Sequence, residues 1–380
     1  MKKIIRIAYT GGGSGGHIYP LLAVADEIKE LTRQNEDFEV RSFYMGKPGI
    51  YADEFIKRNI RIKKVMAPKM RRYISLGNVI DLIKLPFAFI QALLKLVWIM
   101  PDVLFSKGGT GAFPVVFAAW IFRIPIIVHE SDSVPGLTNR LSFPFAARVG
   151  VAFHHALAYL KEGKGAVVGN PIRPFLLAPS DVTQEQAKRI FGFDPQTPLI
   201  LVLGGSQGSQ RINLFLFDNA VELANQYQVL HQVGMQNFKE ASQELGILFE
   251  QQISPLKSRY KVIDFFTNNL KDAFIAADLI VSRAGSGTLF EIAWFKKPAI
   301  IIPLPEAAHN HQWLNAAAYE ESGGGILIEE ENLKPILFAA QIKKIFEQKD
   351  LYERMSQSAA SFATPYAAAA IAQEILRLIK

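Results

Sequence analysis

Cysteine is absent from all 380 residues, so disulfides and thiolate metal sites are excluded. No two aspartates are separated by a single residue, the element with which many sugar-nucleotide enzymes hold a divalent cation. There is no Gly-x-x-x-x-Gly-Lys-Ser/Thr loop for a nucleoside triphosphate either. Long uncharged apolar runs are missing too. The most hydrophobic window, residues 79–100 (VIDLIKLPFAFIQALLKLVWIM), carries Asp81, Lys84, Pro86 and Lys95. A charge at mid-bilayer costs about 2.5–3.5 kcal/mol, so this window is not expected to span a membrane. The apolar start at residues 4–8 is too short for a signal peptide, and a cytoplasmic first strand is expected there. With 49 % apolar and 20 % charged residues, nothing is biased enough to suggest disorder.

What is present is an α/β pattern of a length that favours two domains. Short apolar runs predict strands at 4–8, 38–44, 60–65, 103–105, 124–128, 149–153 and 166–168. The pattern restarts with runs at 199–203, 229–232, 260–266, 279–282 and 299–303. Three strand–glycine–helix corners punctuate it, at 11–16 (GGGSGG), 204–209 (GGSQGS) and 283–288 (RAGSGT). Glycine at such a corner lets the backbone turn sharply and lets a ligand approach the unpaired amides that open a helix. Those amides and the helix dipole favour an anion, most naturally a diphosphate. Neither a nicotinamide enzyme nor a Ser-His-Asp hydrolase is expected from them.

Individual residues stand out at these corners. His17 follows the first glycine run and has a near-neutral intrinsic pKa, which suits a proton acceptor; an incidental histidine in a tight turn is the plainer alternative. Glu130, at the end of a buried strand, is a second candidate base, because ligands of open α/β sheets gather at the carboxyl ends of strands. Glu291, one turn into the helix after the third corner, is placed to accept both hydroxyls of a ribose, or simply to complement the helix dipole. Glu306, His309 and His311 contain zinc-ligand types but lie in a loop rich in other hydrogen-bonding groups, so no metal is expected.

Charge is uneven. The net charge is +7, of which residues 1–165 carry +10 and the remainder −3. No nucleic-acid motif or basic–aromatic stripe accompanies the positive half, so no nucleic acid is expected. An anionic membrane surface fits better. Arg71, Arg72 and Lys84 would meet headgroups and Phe87, Phe89 and Trp98 would touch lipid, the alternative being a buried α/β helix.

Six motifs in order carry a specific resemblance. They are Gly12-Gly13-Ser14-Gly15-Gly16-His17 with Pro20; His129-Glu130 with Gly136 and Asn139-Arg140; Gly169-Asn170-Pro171-Ile172-Arg173; Gly204-Gly205-Ser206-Gln207-Gly208; Arg283-Ala284-Gly285 through Glu291; and His311-Gln312 with Asn315-Ala316. The whole chain resembles the glycosyltransferases of family 28 that move N-acetylglucosamine from UDP-N-acetylglucosamine to lipid I, making lipid II for peptidoglycan. The resemblance implies two Rossmann-like domains facing across a cleft (the GT-B fold), inversion at the sugar's anomeric carbon, and no metal or other cofactor. Residues 1–170 would form the acceptor and membrane-facing domain, 171–180 a linker, and 181–365 the UDP-sugar domain. A terminal helix at 366–380 would pack back on the first domain.

Carried over by position, the donor site falls on Ser14, Gly15, Gly16, Asp132, Arg173, Ser206, Phe266, Ser286, Gly287, Thr288, Leu289, Phe290, Glu291 and Gln312. Phe266 would lie beside the uracil and Glu291 on the ribose. His17 and Glu130 are the catalytic candidates, and Thr110 and Asn139 the acceptor contacts. Two departures stand out. The family commonly has His-Glu-Gln-Asn where this chain has His129-Glu130-Ser131-Asp132, and Gly-Gly-Tyr where it has Gly108-Gly109-Thr110. An ionised Asp132 cannot donate the hydrogen bond an Asn would. The implied partners are UDP-N-acetylglucosamine, lipid I and the cytoplasmic face of the cell membrane, with peripheral attachment. A UDP-N-acetylglucosamine 2-epimerase, a transferase for another glycolipid, and a silent sugar-nucleotide-binding protein are the competing expectations.

Overall fold

The computed structural model describes residues 3–33, 38–68, 76–205, 208–250, 254–267 and 269–379. Arg71, Arg72 and Ser206 therefore lie outside the described residues. Contacts divide the chain into two compact units, one of Met1–Pro174 with Thr364–Lys380, the other of Phe175–Ala363.

Among the described residues the first unit holds seven strands: β1 (Lys3–Gly12), β2 (Phe38–Met45), β3 (Arg61–Lys63), β4 (Val103–Gly109), β5 (Ile126–Glu130), β6 (Arg148–Val151) and β7 (Gly165–Val167). They pair in parallel in the order β3-β2-β1-β4-β5-β6-β7. The second unit holds β8 (Leu199–Leu203), β9 (Gln228–Gln232), β10 (Tyr260–Ile263), β11 (Leu279–Ser282), β12 (Ala299–Ile301) and β13 (Gly325–Leu327). These are parallel in the order β10-β9-β8-β11-β12-β13. Helices cover both faces of a parallel sheet, which is why β5 and β8 are buried at every residue; β8 reads as an unbroken apolar run, and β5 does so until its last two residues, His129 and Glu130. Each sheet reverses its strand order once, between β1 and β4 and between β8 and β11. A doubly wound sheet opens a crevice at that reversal, at the carboxyl ends of the strands.

One face of the first sheet is covered by the helices Gly15–Arg33 and Ala367–Arg377. The latter contributes Ala368, Ile371, Ala372 and Ile375, the spacing of a single helical stripe. The helices Leu76–Ile99 and Ala112–Ile121 cover the other face through Ala88, Ala92, Leu96, Val115 and Ala119. A separate core fills the second unit around Val202, Leu216, Val229, Val281 and Ile342.

Several elements differ from their sequence reading. The helix expected over 79–100 is Leu76–Ile99. The strand expected at 260–266 stops at Ile263, leaving Phe266 beyond it. β13 was not anticipated, because three residues after a run of glycines give no usable periodicity. Phe89, expected to touch lipid, instead packs on Phe117 at 5.3 Å between ring centroids, on the inner side of its helix.

Candidate active site

The crevice of the first sheet is lined by the two glycine turns. β1 ends in the first, and the carbonyl of Ser14 accepts the amides of His17 and Ile18 to open the Gly15–Arg33 helix. β4 runs alongside, with Gly12 opposite Gly109. The approach is close. A Cβ on Gly109, whose φ is +78°, would lie 2.2 Å from the Gly12 carbonyl oxygen and 2.9 Å from the His17 ring. Thr110 abuts the same turn, its Oγ1 being 2.7 Å from where a Cβ on Gly13 would sit. Ser14, Gly15, Gly16, His17, Gly109 and Thr110 are thus brought together at one corner. Arg173 joins it, its guanidinium lying 5.2 Å from the centroid of the Tyr19 ring.

The His17 ring is oriented by backbone. Its Nδ1 is 3.2 Å from the carbonyl oxygen of Lys107, and a carbonyl can only accept, so Nδ1 carries the proton. In the neutral ring Nε2 is then the basic nitrogen.

Beneath this corner lies a buried polar network that joins the ends of β4 and β5. Lys107 is 1 % exposed; its Nζ donates to His129 Nδ1 at 2.7 Å and to Ser131 Oγ. The other nitrogen of His129 donates to the Gly169 carbonyl at 2.8 Å. Burial, then the charge of Lys107, holds His129 well below the usual histidine range, so it is neutral and Nδ1 is free to accept. Burial lowers Lys107 to about 8, opposed by the carboxylates of Glu130 and Asp132. Glu130 is pushed up by burial and then by Asp132. Both of its oxygens are engaged: Oε1 accepts the Asp132 amide at 3.0 Å, while Oε2 accepts the Gly136 amide at 3.0 Å and Asn139 Nδ2 at 2.9 Å. Asn139 is buried against Gly108, where a Cβ would meet its side chain at 2.3 Å.

The second unit repeats the geometry. β8 ends in Gly204 and Gly205, and Gly208 approaches Val233 so closely that a Cβ would lie 2.1 Å from its carbonyl oxygen. Gln232 Nε2 donates to the Gly205 carbonyl at 2.8 Å, while its Oε1 accepts the Phe266 amide at 3.2 Å. The Phe266 ring is buried and packs edge-on to Phe191 at 6.3 Å, so the polar handle of that segment is its backbone. Across the strand reversal, β11 delivers Arg283. Its Nε donates to Ser209 Oγ at 3.0 Å, Nη1 to the Pro303 carbonyl at 3.1 Å, and Nη2 pairs with Glu330 at 2.5 Å.

The helix Ser286–Trp294 then opens with Ser286 buried and Gly287 and Thr288 half-buried. Leu289 and Phe290 are core side chains, so only their amides can face a ligand. Glu291 is buried one turn in, at 7 % exposure. Asn315 Nδ2 donates to the Ala284 carbonyl at 3.2 Å and Gln312 Oε1 accepts the Leu304 amide at 3.0 Å, so the helix His311–Glu321 braces this corner. Glu306 is paired with Arg211 and His311 Nδ1 donates to the Ala308 carbonyl at 2.8 Å. Among the described residues no three metal-ligand side chains cluster.

Glycine spacing alone separates fewer chemistries than the sequence reading assumes. Gly11, Gly13 and Gly16 keep the interval of a dinucleotide fingerprint, but β2 ends in Tyr44 and Met45, where a ribose-binding acid would be needed. Tyr44 is buried there, stacked on Phe55 and donating to the Gly11 carbonyl. Gly12-Gly13-Ser14-Gly15-Gly16 and Gly204-Gly205-Ser206-Gln207-Gly208 likewise have the interval of a nucleophile elbow. A hydrolase triad needs a carboxylate on the Nδ1–H of its histidine, whereas that of His17 faces a peptide carbonyl.

Residues 7–151 match the glycosyltransferase family 28 N-terminal domain and residues 199–370 the family 28 C-terminal domain. The chain belongs to glycosyltransferase family 28. A relative from Clostridium kluyveri is 36 % identical over 371 residues, covering 96 % of this chain and 97 % of its own length. One from Clostridium tetani is 33 % identical, covering 93 % and 92 %. Both are named UDP-N-acetylglucosamine--N-acetylmuramyl-(pentapeptide) pyrophosphoryl-undecaprenol N-acetylglucosamine transferase. Among solved structures, MurG of Acinetobacter baumannii superposes with a TM-score of 0.72 at 24 % identity, covering 98 % of this chain and 99 % of its own. A UDP-GlcNAc 2-epimerase from Neisseria meningitidis, bound to UDP-GlcNAc, reaches 0.70 at 13 % identity, covering 99 % and 100 %. At these identities both likenesses speak to the fold, two α/β units of the GT-B class that family 28 shares with the epimerases.

Lys107, Ser131, Gln232 and Arg283 were not singled out from the sequence as site residues of family 28. Each lies within two residues of the carboxyl end of a strand, and a polar residue in that position is the signal that could have found them.

Proposed function

We propose that the protein transfers N-acetylglucosamine from UDP-N-acetylglucosamine to the 4-hydroxyl of lipid I, forming lipid II. The likeness over nearly the full chain to relatives named for that transfer carries the proposal. The epimerases share the fold at 13–14 % identity, which speaks only to architecture.

In this reading the second unit binds the donor. The amides of Ser286, Gly287 and Thr288 and of the 204–209 turn meet the diphosphate, Glu291 holds the ribose, and Gln312, Ser206 and the backbone at Phe266 complete the nucleotide contacts. Helix-opening amides stabilise the charge that develops on the departing UDP without needing to reorganise. In the first unit His17 accepts the proton of the attacking hydroxyl at Nε2 while its Nδ1–H stays on the Lys107 carbonyl. Attack from the face opposite UDP inverts the anomeric carbon. Glu130 is assigned to the loop rather than to the proton, because its oxygens already accept three donors. Among the first unit's residues, Ser14, Gly15, Gly16, Asp132 and Arg173 are assigned to the donor, and Thr110 and Asn139 to the acceptor.

The acceptor is a lipid, and the Leu76–Ile99 helix is proposed as the surface that reaches it from the cytoplasmic face. Among the described residues no helix is long and apolar enough to cross a membrane.

The deciding assay supplies labelled UDP-N-acetylglucosamine and a short-chain lipid I analogue with excess chelator. Transfer to the lipid with net inversion is expected, and sugar-nucleotide turnover should require the acceptor. Epimerisation without acceptor would overturn the proposal, and loss of activity on chelation would overturn its metal-free form.

A further inference from the structure

We propose that Lys107 is a positioning residue for the transfer: by anchoring its side chain on β5 it fixes the carbonyl that orients His17. The inference rests on His17 being the base. Two observations carry it. The first is the cost of the residue. An ammonium ion taken out of water at 1 % exposure is expensive, and a methionine or leucine would fill the same volume without that cost. The second is connectivity. The Lys107 carbonyl accepts from His17 Nδ1, and its Nζ reaches His129 Nδ1 and Ser131 Oγ.

The peptide between these two ends needs such an anchor. Lys107 and Gly108 lie where the pairing of β4 with β1 shifts register, between Ser106 opposite Thr10 and Gly109 opposite Gly12, so the regular ladder does not by itself aim that carbonyl. With Nζ held on β5, the carbonyl direction is held too, and with it the tautomer of His17. The same ammonium carries the countercharge for Glu130 and Asp132, so it also settles the Ser131-Asp132 loop where this chain departs from the common family sequence. The groups facing it are His129 and Glu130 from β5, Asp132 and Ser131 from the loop, and, through the carbonyl, His17 from the first helix.

Three measurements on Lys107→Met and Ser131→Ala test the proposal. Single-turnover transfer should fall roughly 10-fold to 100-fold in Lys107→Met and by less in Ser131→Ala, the scale of a small misplacement, with the KM for UDP-N-acetylglucosamine within about 2-fold of wild type. Nitrogen-15 spectra of labelled histidine, assigned by loss of the His17 signal in His17→Asn, should show an Nδ1-protonated ring in wild type and a mixture of tautomers in Lys107→Met. The wild-type rate should decline above about pH 8 as the Lys107 ammonium deprotonates, and that limb should be missing from Lys107→Met.

A Lys107→Met rate within about 2-fold of wild type, or an unchanged His17 tautomer beside a lowered rate, would overturn the proposal. If Lys107→Met does not fold, Ser131→Ala decides on the same readouts. If His17→Asn keeps a normal rate, the assignment of the base fails. If His17→Asn is inactive while Lys107→Met and Ser131→Ala are normal, only the positioning role fails.

Discussion

His17, in the first turn of the helix that follows β1, and Glu130, at the end of β5, are not equivalent. One is a ring whose Nδ1 faces a backbone carbonyl; the other is a carboxylate whose two oxygens accept loop donors. His17→Asn is therefore expected to lower single-turnover transfer by roughly 10²–10⁴ with little change in Tm. Glu130→Gln places an amide donor among donors and should cost about 1–3 kcal/mol of stability, with the smaller loss of rate. A larger rate loss in Glu130→Gln would reverse the two roles. The glycine contacts give a second test. Gly109→Ala combines a left-handed φ with a Cβ 2.2 Å from a carbonyl oxygen, so it should lower both Tm and rate. Gly136→Ala meets nothing within 4 Å and is the neutral comparison. At this scale the sequence showed His17 because a histidine ending a glycine run has no packing reason to be there. It hid Lys107, because a lysine at the end of an apolar strand looks like a residue reaching for solvent.

The Leu76–Ile99 helix separates two faces that hydrophobicity alone could not. Ala88, Ala92, Leu96 and Ile99 turn inward, while Ile83, Phe87, Ile90, Leu94 and Trp98 are exposed, Trp98 at 89 %. Trp120 and Ile121, at the end of the neighbouring helix, extend the exposed apolar area. An apolar stripe of this kind marks an interaction surface, and the proposed lipid-linked acceptor makes a membrane its fitting partner. Co-sedimentation with anionic liposomes should fall strongly in a Phe87→Ser, Trp98→Ser double variant, and more modestly when Arg71, Arg72 and Lys84 are neutralised. Unchanged binding in the apolar double variant would sink this face as the anchor. The sequence exposed the window but not its sides, because its apolar residues run nearly all round and only packing against Ala112–Ile121 decides which ones turn inward.

Across the molecule, each unit encloses a neutral imidazole in its sheet. His231 is buried between Tyr260 and Asn213, at 3.0 Å from each, and burial lowers it to about 3. His129 is shifted in the same direction. An unfolded histidine takes up its proton near pH 6.5 and these folded ones do not, so the unfolded state binds more protons and stability must fall as pH drops below 6.5. For His231 the loss continues down to about pH 3. Each imidazole contributes up to about 1.4 kcal/mol per pH unit in that window. Tm should be flat near neutrality and fall below pH 6, and His231→Gln should fall less steeply. An equal slope in the variant would show that other groups set the acid limit. The two-sheet architecture was legible because parallel strands buried on both faces announce themselves as apolar runs. β13 and the end of β10 were not, because three or four residues carry too little pattern.

The first unit is not continuous in sequence: it is begun by Met1–Pro174 and finished by Thr364–Lys380. During synthesis its sheet leaves the ribosome early, yet the stripe of Ala368, Ile371, Ala372 and Ile375 that shares one face with the Gly15–Arg33 helix is translated only after the whole second unit. The half of the protein that starts first is therefore the last to be completed. Until then the nascent chain carries a half-covered apolar face, and a premature stop before Ala368 would injure the domain encoded at the beginning.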